Sequence, residues 1–208
     1  VSGTIERVVT SGTFSLDGGT WEVENNVWIV GDDAEVLVID PAHDVVAVSA
    51  AVGSRRVVAV LLTHGHDDHV RAAVEAGSAL AAPVFLPAAD RMLWDMVHST
   101  APDGDVEPGQ EFTAGPITLR AVATPGHTPG STCYVSEAAG VVFSGDTLFA
   151  GGPGATGRSY SDFATIVDSI TTELLTLPGS TRVLTGHGDE TTIGAEAPHR
   201  QEWIDRGH

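Results

Sequence analysis

The apolar run Val57-Val58-Ala59-Val60-Leu61-Leu62 ends on Thr63-His64-Gly65-His66-Asp67-Asp68-His69. An uninterrupted apolar run of this length reads as a strand buried on both faces, as in a parallel or mixed sheet covered by helices. Three histidines and two aspartates packed into its tip are not core residues. An extended chain leaving the strand projects His64, His66 and Asp68 in the same broad direction. His69 has the wrong parity for a strand and joins them only if a helix begins there. Val70 to Ala76 is helix-competent, with Gly77 expected as the residue that stops it. Imidazole and carboxylate gathered at one strand tip suit zinc or non-haem iron. A metal site is the expectation, ahead of a solvated polar loop.

Composition sets the limits around that site. The 208 residues are enough for one domain, taken as 1–208, with a large core. The net charge is −18 and every basic residue is arginine. A field this negative argues against nucleic acid and anionic membranes as partners and leaves a small-molecule substrate. A single cysteine excludes an internal disulfide framework and points to a reducing compartment. With no signal peptide and no apolar run of spanning length, the expected location is cytoplasmic. Oligomeric state is left open.

Residues 4 to 40 read as an antiparallel meander. Thr4 to Val9 alternates, Ser11-Gly12 and Asp17-Gly18-Gly19 punctuate as turns, and Trp21 to Glu24 alternates again. Asn25-Asn26 precedes Val27 to Val30, and Glu35 to Ile39 stops at Asp40-Pro41. Asp40, at a strand tip, is equally suited to a turn or to orienting a metal ligand from behind. Further helices are expected over 43–53, from Pro87 to about His98, and from Ser161 or Asp162 to Leu177. The tail from Glu196 reads as helical too. Short strands fall at Pro83 to Leu86, Glu111 to Ala114, Ile117 to Val122, Thr132 to Val135, Val141 to Ser144 and Thr181 to Thr185. A meander followed by alternating helices and strands predicts a layered α/β sandwich.

Three more polar clusters fall at strand ends: Thr124-Pro125-Gly126-His127-Thr128-Pro129-Gly130-Ser131, Ser144-Gly145-Asp146-Thr147 and Thr185-Gly186-His187-Gly188-Asp189. Each is weak alone, because a lone loop histidine is more often structural. Together with the opening motif they supply enough ligands for two adjacent metals sharing a bridge. The series resembles the metallo-β-lactamase superfamily, and Gly126 to Ser131 with Gly145-Asp146-Thr147-Leu148-Phe149 resemble its glyoxalase II-like branch. That resemblance covers roughly residues 20 to 190. It implies a four-layer αββα sandwich with the metals at one edge of the two sheets. It also implies that His64, His66 and His127 hold one metal, that Asp68, His69 and His187 hold the other, and that Asp146 bridges them. Two Zn2+ are the expected ions, with iron or a mixed Fe/Zn pair as alternatives.

The chemistry implied is hydrolysis by a hydroxide held between metals ~3.5–4 Å apart, with Asp68 moving the proton. A thioester of a small thiol is the expected substrate, because a thiolate leaves with little acid assistance. A carboxylate bridge at Asp146 argues against the lactamase branch, for which the resemblance implies a cysteine or no bridging ligand. Classical glyoxalase II grips glutathione with a C-terminal helical domain, whereas only about twenty residues follow His187; another thiol carrier, mycothiol among them, is expected. Arg158 and Tyr160, in the glycine-rich stretch after Asp146, are candidate substrate contacts or loop anchors. The rival activities are a mononuclear iron persulfide dioxygenase, by resemblance using His64, His127 and Asp146, and a lactone or ester hydrolase. Cys133 is expected to be a buried small hydrophobe. His43 is expected to start a helix, with lining the pocket as its alternative, and Met92, Trp94 and Met96 to be core or pocket wall. His98 and His208 have no evident partner.

Overall fold

The computed structural model describes residues 3–207, and His208 lies outside them. Two six-stranded sheets follow one another along the chain. The first is ordered β1-β2-β3-β4-β5-β6: Thr4–Leu16, Gly19–Gly31, Glu35–Ile39, Arg56–Leu61, Val84–Pro87 and Gly104–Val106. It begins as the expected antiparallel meander and becomes parallel from β3 onward. Helices α1 (Val45–Val52), α2 (Asp67–Val70), α3 (Ala73–Leu80) and α4 (Arg91–Trp94) are threaded between its strands. The second sheet contains β7 (Glu111–Ala114), β8 (Ile117–Ala123), β9 (Thr132–Ser136) and β10 (Val141–Gly145). A two-stranded excursion, β11 (Leu148–Phe149) with β12 (Gly152–Pro153), and helix α5 (Phe163–Ser169) lead to β13 (Arg182–Thr185) and β14 (Thr191–Thr192). The sheet is ordered β14-β13-β10-β9-β8-β7, and α6 (Ile193–Glu196) and α7 (Arg200–Arg206) close the chain.

Period-two alternation decides which side chain joins which layer. Trp28, Val30, Leu37 and Ile39 face the second sheet and pack on Phe112, Leu119, Tyr134 and Phe143. Their neighbours Val27, Ile29, Val36 and Val38 face α1 and α3 on the other side. Val122, Cys133, Val135 and Val142 pack instead under α5 and α7, against Ile166, Ile170 and Trp203. Burial on both faces of both sheets gives the expected αββα order.

The first hairpin departs from expectation. Ser11-Gly12 is not a turn: β1 continues to Leu16, with Ser11 opposite Glu24 and Gly12 opposite Val23. The glycine is needed because the His43 ring lies where its Cβ would stand. Asn25 and Asn26 sit within β2. Because β3 pairs only with Trp28 to Gly31, the rest of the β1–β2 hairpin overhangs its sheet as a two-stranded arm. Asn26 N–H donates to the Gly186 carbonyl at 2.7 Å and Trp28 Nε1 to that of Thr185 at 3.0 Å, tying the arm's root to the second sheet.

Helix expectations were corrected in three places. Gly77 does not end a helix; α3 runs through it, since a Cβ there would press on Val84, and Ala81 takes the left-handed turn at φ 50°. The stretch from Pro87 to His98 is broken into a 3₁₀ turn and α4, because Asp90 turns inward. Asp162 caps α5 through Thr165 N–H at 2.7 Å, but the helix widens to a π turn over Ile170–Leu174. Trp94 is core, whereas Met92 and Met96 remain exposed. His98 does have a partner: its Nε2 lies 2.8 Å from the Val70 carbonyl, with the ring against Trp94. No helix among the described residues is long and apolar enough to cross a membrane.

Candidate metal centre

The opening motif folds as its parity requires. β4 ends at Leu61, His64 to His66 run on as extended chain, and α2 begins at Asp67 with His66 as its N-cap, which brings His69 round. His64 Nε2 lies 3.1 Å from His66 Nδ1, which lies 3.0 Å from His127 Nε2. On the other side, His69 Nε2 and His187 Nε2 are 3.2 Å apart, with Asp68 Oδ2 3.5 and 3.3 Å from them. Between the two sets stands Asp146, its Oδ2 3.5 Å from His127 Nε2 and 3.3 Å from His187 Nε2. Its Oδ1 is 3.5 Å from His69 Nε2 and, though buried, has no hydrogen-bond partner.

These ring nitrogens cannot all be hydrogen-bonding one another. His69 Nδ1 faces Asp40 Oδ2 at 2.9 Å, His127 Nδ1 the Ala155 carbonyl at 2.8 Å and His187 Nδ1 the Glu24 carbonyl at 2.6 Å. Acceptors at those positions place the protons on Nδ1, leaving each Nε2 as a lone pair. His64 follows suit, because the Thr63 hydroxyl donates to Asp40 and so accepts from His64 Nδ1. Nε2 lone pairs aimed at one another about 3 Å apart repel unless a metal ion, or the protons that His69 and His187 take up in its place, sits between them. Together with the orphaned Asp146 oxygen, this donor set of five imidazoles and two carboxylates fits two divalent metal ions.

The electrostatics of the two sets differ. Burial and the neighbouring His127 push His66 down to about 3, and burial with His69 holds His64 well below the usual imidazole value. That set is neutral and ready to ligate. Burial would also lower His187, but Asp146 and Asp68 override it and raise the group to about 10; His69 is raised in the same way by Asp68 and Asp146. Burial works against ionisation of Asp68 and Asp146. His69 and His187 nonetheless hold Asp68 down at about 2 and Asp146 well below the carboxylate range. Without metal, protons do the neutralising here.

Supporting residues fix the ligands from behind. Asp40, left open between two roles by sequence, is a positioning residue: Oδ1 accepts from Thr63 N–H at 2.8 Å and Oδ2 from the Thr63 hydroxyl and His69. Asn25 and Asp90 were missed, and the partner through which His43 reaches the site was not assigned. Asn25 Nδ2 donates to Asp68 Oδ2 at 3.0 Å, and His43, not merely a helix start, meets Asn25 Oδ1 through Nε2 at 2.8 Å. Asp90 is fully buried and accepts from Gly65 N–H (2.7 Å), Thr128 Oγ1 (2.6 Å) and Gly130 N–H (2.6 Å), clipping the His64–His66 loop to the His127 loop. Asp90→Ala is expected to weaken metal binding by about 10–100-fold, read by competition with a metallochromic chelator. An unchanged affinity would remove the clip from the design.

Glycine conformation matters most at Gly126. Its φ is +134°, and a Cβ would collide with the backbone of Ile166 in α5. Gly126→Ala combines strain with that collision, so a loss of about 2–4 kcal/mol and a melting point lower by roughly 5–15 °C are expected. A shift under about 2 °C in a thermal melt would show that α5 can move away.

Above the ligands lies a cavity of about 210 Å³, walled by Phe14, Trp21 and Val23 of the arm and by Ala155, Arg158 and Ser161. His66, Asp68, His127, Asp146 and His187 form its floor. Arg158 thus reaches the site, whereas Tyr160 is 46 % exposed, at φ 71°, and stands off the wall. Cys133 is buried beneath the second sheet, and burial pushes its thiol up to about 11, which leaves it inert. A larger hollow of about 580 Å³ beside α3 shares no residue with the ligand set.

The sandwich and its edge cluster define a class, and the chain belongs to the metallo-β-lactamase superfamily, whose family pattern matches residues 20–187. Within it, the chain is 34 % identical over 189 residues to the probable metallo-hydrolase YqgX of Bacillus subtilis, covering 84 % of this chain and 90 % of that one. It is also 34 % identical over 171 residues to a hydroxyacylglutathione hydrolase of Methylobacillus flagellatus, covering 79 % of this chain and 62 % of the relative. The crystal structure of ETHE1 from Myxococcus xanthus matches with a TM-score of 0.73 at 26 % identity, over 94 % of this chain and 88 % of that one.

Proposed function

We infer that this protein is a binuclear metallohydrolase, taking two zinc ions, that cleaves a thioester of a small thiol. The observation that carries the reading is Asp146 Oδ2 standing within 3.5 Å of one imidazole from each ligand set. When bound, two divalent ions would polarise the thioester carbonyl and bring the pKa of water down toward ~7. His64, His66 and His127 would hold one ion, and Asp68, His69 and His187 the other. Asp68, ionised at neutral pH and steered by Asn25, takes the proton of the attacking water on its carboxylate and returns it to the departing sulfur. The arm's Phe14, Trp21 and Val23 exclude bulk water from the reacting carbonyl and present an apolar wall to the substrate.

The similarity to hydroxyacylglutathione hydrolase supports thioester cleavage, and the likeness to ETHE1 is compatible with an iron-dependent persulfide dioxygenase. The convergence of Asp68, His69 and His187 as a second set favours two ions over one. Metal content decides between the readings, measured on protein purified without added metal. Two zincs per chain and turnover of at least one member of an acyl-thioester panel are expected. One iron per chain with oxygen uptake on a persulfide would replace this reading with the dioxygenase.

A further inference from the structure

Asn25 is fully buried within β2, opposite Thr10 of β1. Its Nδ2 donates to Asp68 Oδ2 at 3.0 Å, and that same oxygen lies 3.5 and 3.3 Å from His69 and His187 Nε2. The oxygen that Asn25 holds is therefore the one turned toward the second ligand set. An ionised carboxylate only accepts, so the amide presents its NH2 group there and its oxygen to the other side. On that side stands His43, with Nε2 2.8 Å from Asn25 Oδ1. An amide oxygen at that position calls for a proton on Nε2. Burial holds the His43 imidazole below its usual range, so the ring is neutral and gives its one proton to this bond. His64, His69, His127 and His187 have the opposite tautomer.

The backbone is shaped to put the ring there. Asp44 N–H donates to the Ala42 carbonyl at 2.7 Å, closing a three-residue turn around His43, whose φ is +57°. A γ-turn of positive φ is the rare and strained form, and here no glycine relieves it. Gly12, on the same face of the hairpin as Thr10, leaves the space that the ring fills. A strained turn and a missing side chain thus converge on one hydrogen bond. The first ligand set has no share in it. His64 and His127 are braced by the Thr63 hydroxyl and the Ala155 carbonyl, and their loops by Asp90.

We propose that His43 is a positioning residue that pins the Asn25 amide with its NH2 group toward Asp68, and thereby sets the affinity for the ion held by Asp68, His69 and His187 without altering the other. This rests on the two-ion reading of the site and not on the identity of the substrate. An unpinned amide can turn end for end. Its oxygen then meets the Asp68 carboxylate and pushes Oδ2 out of line with the two imidazoles.

The test is zinc affinity, measured ion by ion in competition with a chelator, with no turnover involved. His43→Phe keeps a ring and removes the donor. It should weaken the second ion by about tenfold or more and leave the first within about twofold. His43→Gln, which still offers an N–H, should recover most of the loss. In an Asn25→Ala background, His43→Phe should add nothing, because the bond it acts through is gone. With cobalt in place of zinc, His43→Phe should change the visible absorption of the second equivalent and not that of the first. Gly12→Ala displaces the ring without removing it and should show the same selective loss, with metal-free melting curves checking that each variant folds. Equal weakening of both ions would make His43 a packing residue and overturn the proposal. Unchanged affinity, or a further loss in the Asn25→Ala background, would overturn it too. A single zinc in the unaltered protein would remove the two-ion reading and this proposal together. Selective loss of the second ion in a protein that cleaves no thioester would uphold the proposal and count against the hydrolase reading alone.

Discussion

Asp146→Asn is expected to reduce hydrolysis on the order of 10³-fold at saturating metal and to lower the bound metal from two ions per chain to one. The carboxylate faces His69 and His187 on one side and His127 on the other, and its Oδ1 is buried without any hydrogen-bond partner. Gly186 gives it room, because a Cβ there would press on Oδ1. Asparagine keeps this shape but removes the charge that a shared ligand contributes to both ions. The fold should persist, since none of the core clusters includes this side chain. Elemental analysis, steady-state rates and circular dichroism on the same sample make the check. Two retained ions with a rate within tenfold of normal would mean that Asp146 does not bridge.

Removing the metals is expected to lower the melting temperature by roughly 10–20 °C at pH 7.5, an effect that grows with pH. The sign follows from the two ligand sets. His187, at about 10, and His69, also raised, stabilise the metal-free protein fully below the unfolded imidazole value near ~6.5. That contribution is lost as pH rises through about 10. His66, at about 3, and His64 act oppositely: the unfolded chain takes up protons that the folded one refuses, so stability falls as pH drops from ~6.5 toward 3. Asp68 adds a loss only as pH drops from ~3.9 through about 2. The metal-free protein should therefore be most stable near pH 6–7. Loading replaces the protons of the His69–His187 side, so the gain on adding metal should increase from pH 6 to 9. On acidification the ion at Asp68, His69 and His187 should leave before the one at His64, His66 and His127. Melting curves with and without chelator across that range test this, and a gain independent of pH would contradict it.

The seven clustered side chains were legible as candidates because they fall near the ends of apolar runs, but their division into two ligand sets and the bridging role of Asp146 came from the resemblance to the superfamily. Most of the longer strands were legible from alternating or continuous apolar runs, whereas the full lengths of β1 and β2 and the short strands β6, β11, β12 and β14 were not. What the sequence hid depends on neighbours distant along the chain. Asn25 and Asn26 look like turn residues, yet they lie within β2, Asn25 bonded to Asp68 and Asn26 to the Thr185 and Gly188 carbonyls. Two adjacent asparagines inside an alternating stretch were the available signal, and the structure buries both. Asp90 was hidden inside an apparently helical stretch, since only the folded loops reveal its three donors. Gly12 and Gly77 misled because glycine was read as a local stop, while here it yields space to His43 and Val84.

The order of the sheets along the chain has a further consequence. Strands β1 to β6 end at Val106, and β7 begins the second sheet at Glu111, so the molecule is two consecutive halves pressed together. His64 and His66 come from the first half and His127 from the second; Asp68 and His69 come from the first and His187 from the second. Neither half owns a complete site. Ion capture and the docking of the halves are therefore a single linked equilibrium. Two ions held as proposed would each tighten the seam between the sheets, and an excursion that parted the seam would release both together.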